Sequence, residues 1–137
     1  MLGLIVYWVP PLIWGGVIFL FSSLARVRTS DIYWQDFLLK KSAHIIEYAI
    51  LTILLYRAFR NSQVKGAKRA MIYSILISIF YSITDEIHQS FVPGRESRIR
   101  DVVFDTIGAS LAIYVIWKLL PKAPQRLKLL AKKLQLI

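Results

Sequence analysis

The chain has no cysteine among its 137 residues. That excludes disulfides, thiol nucleophiles and cysteine-ligated metals. Acids are scarce: 8 Asp+Glu stand against 18 Lys+Arg, for a net charge of +10. Histidines number two, and residues 4–24 hold no charged side chain. No internal repeat or low-complexity stretch interrupts the chain.

What abounds is apolar. Hydrophobic residues make up 56% and aromatics 13%, and the mean hydropathy is +0.52. Soluble domains have nearer about 45–50% apolar residues. A basic soluble protein would point to nucleic acid. The apolar fraction points instead to a membrane, with the bases at its surface. The length corresponds to one domain.

Four apolar segments, residues 4–24, 39–60, 70–91 and 101–120, approach the length of a span, since about 20 helical residues cover about 30 Å. In the first, Pro10 and Pro11 should kink the helix or form its first turn. A cleaved signal peptide is the rival reading, with Ser23-Leu24-Ala25 as cleavage site. The uncharged Met1-Leu2-Gly3 and the long apolar run favour a retained helix. RVRTSDIYWQD, NSQVKGAK and VPGRESRIR are the expected loops, with Pro93-Gly94 as a turn. Pro121 and Pro124 should close the fourth helix. Tyr7, Trp8, Tyr33, Trp34 and Trp117 fit interface belts.

Beyond Pro124, Leu127, Leu130, Ala131, Leu134 and Ile137 fall on one helical face, and Lys128, Lys132 and Lys133 on the other. This is the pattern of a basic helix lying on a membrane surface; a frayed soluble tail is the alternative. The expected fold is all-α: an integral membrane four-helix bundle over residues 1–120, then a basic amphipathic tail over 121–137.

Orientation follows from Lys and Arg. With four spans, the second loop and the tail share a side. That side collects Arg57, Arg60, Lys65, Lys68, Arg69, Lys118, Lys122, Arg126, Lys128, Lys132 and Lys133, eleven of the 18 bases. The positive-inside rule makes it cytoplasmic, with both termini inside.

The remaining polar residues gather at the other end. Lys41, His44 and Glu47 lie near the start of the second segment. Asp85, Glu86, His88 and Gln89 lie near the end of the third, and Asp101 and Asp105 at the start of the fourth. Alternating helix directions bring these sets together, with Arg95, Arg98 and Arg100 in the loop above. Glu47 is deepest, roughly 12 Å from Leu39. Five of the 8 acids (Glu47, Asp85, Glu86, Asp101 and Asp105) and both histidines are here. A charge costs about 2.5–3.5 kcal/mol at a helix centre, and less near the ends. Chance would not concentrate that cost at one end of three helices.

Helical spacing puts Lys41, His44 and Tyr48 on one face, Asp85, His88 and Gln89 on a second, and Asp101, Asp105 and Gly108 on a third. Gly108, with Ala109, Ser110 and Ala112, permits close helix approach. The expectation is an outward-open polar pocket. Lys41, Arg95 and Arg98 would hold an anionic headgroup, with Gln89 and Asp105 also binding. His44 and His88 are the proton-transfer candidates. Glu47, Asp85, Glu86 and Asp101 would orient them or act as base. Three alternatives stay open. One is a purely structural ion-pair network. Another is a zinc or manganese site from His44, Glu47, Asp85 and His88, serving a hydrolase or transferase. The third is a small proton-coupled carrier. It is disfavoured because only Thr52, Ser74 and Ser78 interrupt the apolar inner halves of the second and third segments.

Lys41-x-x-His44, Asp85-Glu86-x-His88-Gln89-x-Phe91-x-Pro93-Gly94-Arg95 and Asp101-x-x-x-Asp105-x-x-Gly108 together resemble the VanZ-like family. The first segment, ending Phe19-Leu20-Phe21-Ser22-Ser23, is also similar to that family's opening, so the resemblance covers residues 4–120. It implies a membrane protein of the bacterial cell envelope, with membrane lipids and a lipid-linked cell-wall precursor or lipoglycopeptide as expected partners. The family's namesake is associated with teicoplanin resistance in Gram-positive bacteria. The resemblance supplies no reaction and no cofactor.

Overall fold

The computed structural model describes residues 2–24, 33–62, 64, 66–95 and 97–137. Their regular structure is entirely helical. The uncharged first run forms α1, Leu2–Ser23, which continues through Pro10 and Pro11 rather than starting at them. The second helix, α2, is Tyr33–Arg60. It begins earlier than expected: Tyr33–Asp36 are helical, not loop. Asp36 in the first turn explains the early start, because it favours the helix dipole and pairs at 2.7 Å with Lys40 one turn on. The remainder of that expected loop, residues 26–32, lies outside the described residues, as does Lys65.

Helix α3, Ala67–Gln89, starts after Gly66, whose φ of +97° suits glycine. Helix α4 covers Ile99–Tyr114. Its winding then widens to an i→i+5 pattern over Val115–Leu119 and tightens over Leu120–Lys122. The wide turn lies just before Pro121, which has no N–H to continue an α-helical ladder.

Cross-links give the helix directions. Trp8 Nε1 donates to Ser62 Oγ at 3.0 Å, tying the start of α1 to the end of α2. Ser22 Oγ and His88 Nδ1 are 3.3 Å apart, tying the ends of α1 and α3. Lys41 and Asp101 tie the starts of α2 and α4. Consecutive helices therefore alternate in direction, and α2 packs against α1, α3 and α4.

Among the described residues three helices are long and apolar enough to cross a membrane: Ile5–Ser23, Ala67–Gln89 and Ile99–Lys122. Their large apolar side chains point outward, with Leu12 70%, Leu20 65% and Phe80 68% exposed. Such an outward apolar surface belongs in lipid. The more polar α2 lies among them. Its approach to α4 depends on Gly108, because a β-carbon there would collide with the Ile45 carbonyl. Small residues do the same on α3, where Ser74, Ser78 and Ser82 are fully buried.

Two expectations change. Trp8 is not a belt residue: its ring packs edge-on against Phe59 at 5.0 Å, inside the bundle. Tyr33, Trp34 and Trp117 are exposed. The tail forms α5, Gln125–Lys133, as expected, but its end turns back. Leu136 N–H donates to Ala131 O and Gln135 N–H to Lys132 O, with Gln135 at φ +57°. This is a Schellman ending with glutamine at the usual glycine position. Arg57 and Asn61 bond Gln135 and hold it there. Ala131 and Leu136 are buried, while Leu127, Leu130, Leu134 and Ile137 remain exposed.

Candidate functional site

At the end where α2 and α4 start and α1 and α3 finish, a cavity of about 330 Å³ opens. It is lined by Ile18, Phe21, Ser22 and Leu24 of α1 and its end; Lys40, Lys41, Ala43, His44 and Glu47 of α2; Asp85 and Gln89 of α3; and Arg95, Arg98, Arg100 and Asp101. The expected polar residues therefore converge, with three exceptions.

Lys41 Nζ donates to Asp101 Oδ1 at 2.5 Å, joining α2 to α4. The ammonium also stands 5.7 Å from the ring centres of Phe37 and Phe104. A charge pair between two rings is sheltered from water and held in place. One turn deeper, His44 Nδ1 lies 3.0 Å from Asp105 Oδ1. Ser82 Oγ donates to the other oxygen of Asp105 at 2.6 Å. With Asp105 ionised, its oxygens only accept, and the proton of the shared bond sits on His44 Nδ1. The opposite ring nitrogen is then free of that bond.

Asp85 Oδ2 accepts from Gln89 Nε2 at 2.8 Å, and Gln89 Oε1 accepts from Arg95 at 3.1 Å. Arg95 also donates to the carbonyls of Phe21 and Leu24, at 2.6 and 3.2 Å. One guanidinium thus fastens the loop after α3 to the end of α1. Asp85 Oδ1 is buried and has no hydrogen-bond partner among the described residues. An orphaned carboxylate oxygen in a cavity residue is where a ligand donor would be expected.

The three exceptions face elsewhere. His88 points toward α1, bonded to Ser22, with its ring 4.4 Å from that of Phe19. Glu86 turns to the loop, accepting from Ser97 Oγ at 3.0 Å and from Arg98 N–H at 2.8 Å. Asp105 lies beneath the cavity, behind His44. The rotation of α3 explains the first two: with Asp85 and Gln89 turned to the cavity, positions 86 and 88 fall on either side of their stripe, so His88 does not share their face as expected. Among the described residues no three His, Asp or Glu side chains converge as a metal would require. The proposed set of His44, Glu47, Asp85 and His88 is split by the turn of His88 toward α1.

Ser82 is the participant that sequence reasoning missed. The four-residue spacing of Ser74, Ser78 and Ser82, continued less regularly by Asp85 and Gln89, is the signal that marks it.

The family model described as VanZ/LLP1 matches residues 7–121. The chain belongs to the VanZ-like family. The match takes in α1 from Tyr7 on and all of α2, α3 and α4, and ends where the basic tail begins. No curated protein and no solved structure matches the chain. VanZ-like membership and the three apolar helices make this an integral membrane protein.

Proposed function

We propose that this VanZ-like protein binds an anionic cell-wall or lipid-linked group in the polar cavity, at the outer face of a bacterial plasma membrane. In this reading α2 is a fourth span, both termini are cytoplasmic, and α5 lies on the inner surface with its lysines toward lipid phosphates. The eleven bases that the sequence assigns to the second loop and the tail support that orientation.

The observation that carries the reading is the cavity's charge. Five cations line it (Lys40, Lys41, Arg95, Arg98 and Arg100) against three acids (Glu47, Asp85 and Asp101). Concave sites with a few convergent charges are the usual ligand sites, and excess Arg favours phosphate or carboxylate. Through such a ligand the protein would alter susceptibility to teicoplanin, as the family association suggests.

A second reading, an acid–base hydrolase or transferase on the same ligand, is favoured by the His44–Asp105 pair. A carboxylate that fixes one imidazole nitrogen leaves the other to take a proton from water or a substrate hydroxyl.

Binding of lipid phosphates to the purified protein, followed by native mass spectrometry, tests the first reading. Arg98→Ala with Arg100→Ala should abolish the adduct, and binding unchanged in that double variant would overturn it. Release of product from a lipid-linked pyrophosphate, lost in His44→Gln while the adduct persists, would establish the second.

A further inference from the structure

A second, apolar groove of about 250 Å³ lies among α1, α2 and α3. It continues the stripes that line the polar cavity. On α3, Ile77 and Tyr81 line the groove, and Asp85 and Gln89, at the same four-residue interval, line the cavity. On α2, Leu55 and Leu51 line the groove, and Glu47 and His44 the cavity. On α1, Pro11 and Gly15 give way to Ile18 and Ser22. Residues at such spacings share a helix face. Cavity and groove are therefore successive stretches of one seam. From Gln89 to Ile77 the seam runs about 18 Å at the rise of an α-helix.

Gly16 lines the groove and adds no side chain to its wall. Gly108 is small because α2 touches it, whereas a β-carbon at Gly16 would meet nothing within 4 Å. Glycine in a helix is unfavourable by about 0.5–1 kcal/mol relative to alanine. At Gly16 it obtains no helix contact in return and leaves space. The polar side-chain groups of the groove wall are already bonded, the Tyr81 hydroxyl donating to the Gly15 carbonyl at 2.6 Å and Trp8 Nε1 to Ser62 Oγ at 3.0 Å, so the surface left is apolar.

We propose that the seam is the binding site of an anionic lipid, with its headgroup in the cavity and one hydrocarbon chain in the groove. This deepens the anion-binding reading and rests on it. A water-soluble anion would leave the groove unused. A zwitterionic lipid would not exploit the cavity's excess of cations.

The test uses full-length protein with Trp34→Phe and Trp117→Phe, so that Trp8 in the groove and nearby Trp14 report. It is reconstituted in phosphatidylcholine vesicles doped with phosphatidic acid brominated in mid-chain. Quenching should saturate at a lower mole fraction for brominated phosphatidic acid than for brominated phosphatidylcholine, and inorganic phosphate should compete. Gly16→Leu, and separately Leu12→Phe at a position 70% exposed, should raise the half-quenching mole fraction by about tenfold, as expected for excluding several methylenes. Phosphate competition for the headgroup site should persist in both. If both variants quench like the parent while phosphate still competes, the groove does not hold the chain and the cavity reading survives. If the two brominated lipids quench alike and phosphate does not compete, the cavity reading itself is overturned.

Discussion

His44 Nδ1 and Asp105 Oδ1 stand 3.0 Å apart, linking α2 to α4 directly beneath the cavity. The bond joins a cavity residue to a fully buried carboxylate that Ser82 holds from the other side. A histidine fixed in this way presents one defined nitrogen to the cavity. In the proposed function Asp105 would position His44, and His44 would be the group that meets a ligand.

Asp105→Asn should leave the fold intact and blur the tautomer of His44. Hydrogen bonds in membrane bundles average about 0.6 kcal/mol, so the loss of stability should be about 1 kcal/mol. ¹⁵N spectra of labelled histidine in alkaline buffer, where imidazole is neutral, check the tautomer. The parent should show a protonated Nδ1 for His44, assigned by its absence in His44→Gln. Asp105→Asn should show a mixture. An unchanged spectrum would mean that Asp105 does not set the tautomer.

The two glycine environments predict opposite outcomes for one substitution. Gly108→Ala puts a β-carbon against the Ile45 carbonyl. Backbone cannot yield as a side chain does, so the loss should be at the upper end of over-packing, about 2–3 kcal/mol. Gly16→Ala enters open space and should stabilise by about 0.5–1 kcal/mol. Thermal unfolding in one detergent compares them, and equal effects would contradict the close α2–α4 crossing.

The helices, their order and the polar end were legible in the sequence because each rests on a long-range pattern: uncharged runs, alternating direction and a concentration of scarce acids. Gly108 as a close-approach point was legible from the local run of small residues Gly108, Ala109, Ser110 and Ala112. Pairings were not. Lys41 could have neutralised Glu47 as easily as Asp101, and only the relative rotation of α2 and α4 decides. Rotation also sends His88 to Ser22 and Glu86 to the loop, although both lie within four residues of Asp85. The return of Leu136 onto the bundle depends on Gln135 taking a left-handed conformation, for which glycine would have been the visible mark.

Glu86 predicts a local effect. Its Oε2 is the acceptor for both Ser97 Oγ and the Arg98 N–H. Glu86→Ala should release the loop over the cavity while α3 and α4 stay packed. Hydrogen exchange at the Arg98 amide should accelerate by about tenfold or more, matching the loss of a charge-assisted bond worth about 1.5–3 kcal/mol. Amides in the middle of α3 should keep their protection. Glu86→Gln, which still offers an oxygen, should lie between. Faster exchange throughout the bundle would make Glu86 a core residue rather than a loop anchor.

Orientation can be read directly, because the chain has no cysteine to remove. Ser97 lies exposed in the loop between α3 and α4, and Lys133 is exposed at the end of α5. If the eleven bases face the cytoplasm, Ser97→Cys should react with a membrane-impermeant maleimide on intact cells. Lys133→Cys should react only after lysis. The reverse pattern would put the cavity inside, and with it any ligand. Reaction of both sites on intact cells would deny that an odd number of spans separates the loop from the tail, leaving α4 unable to cross. The length and hydropathy of Ile99–Lys122 favour a crossing, so the expected result is one label outside and one inside.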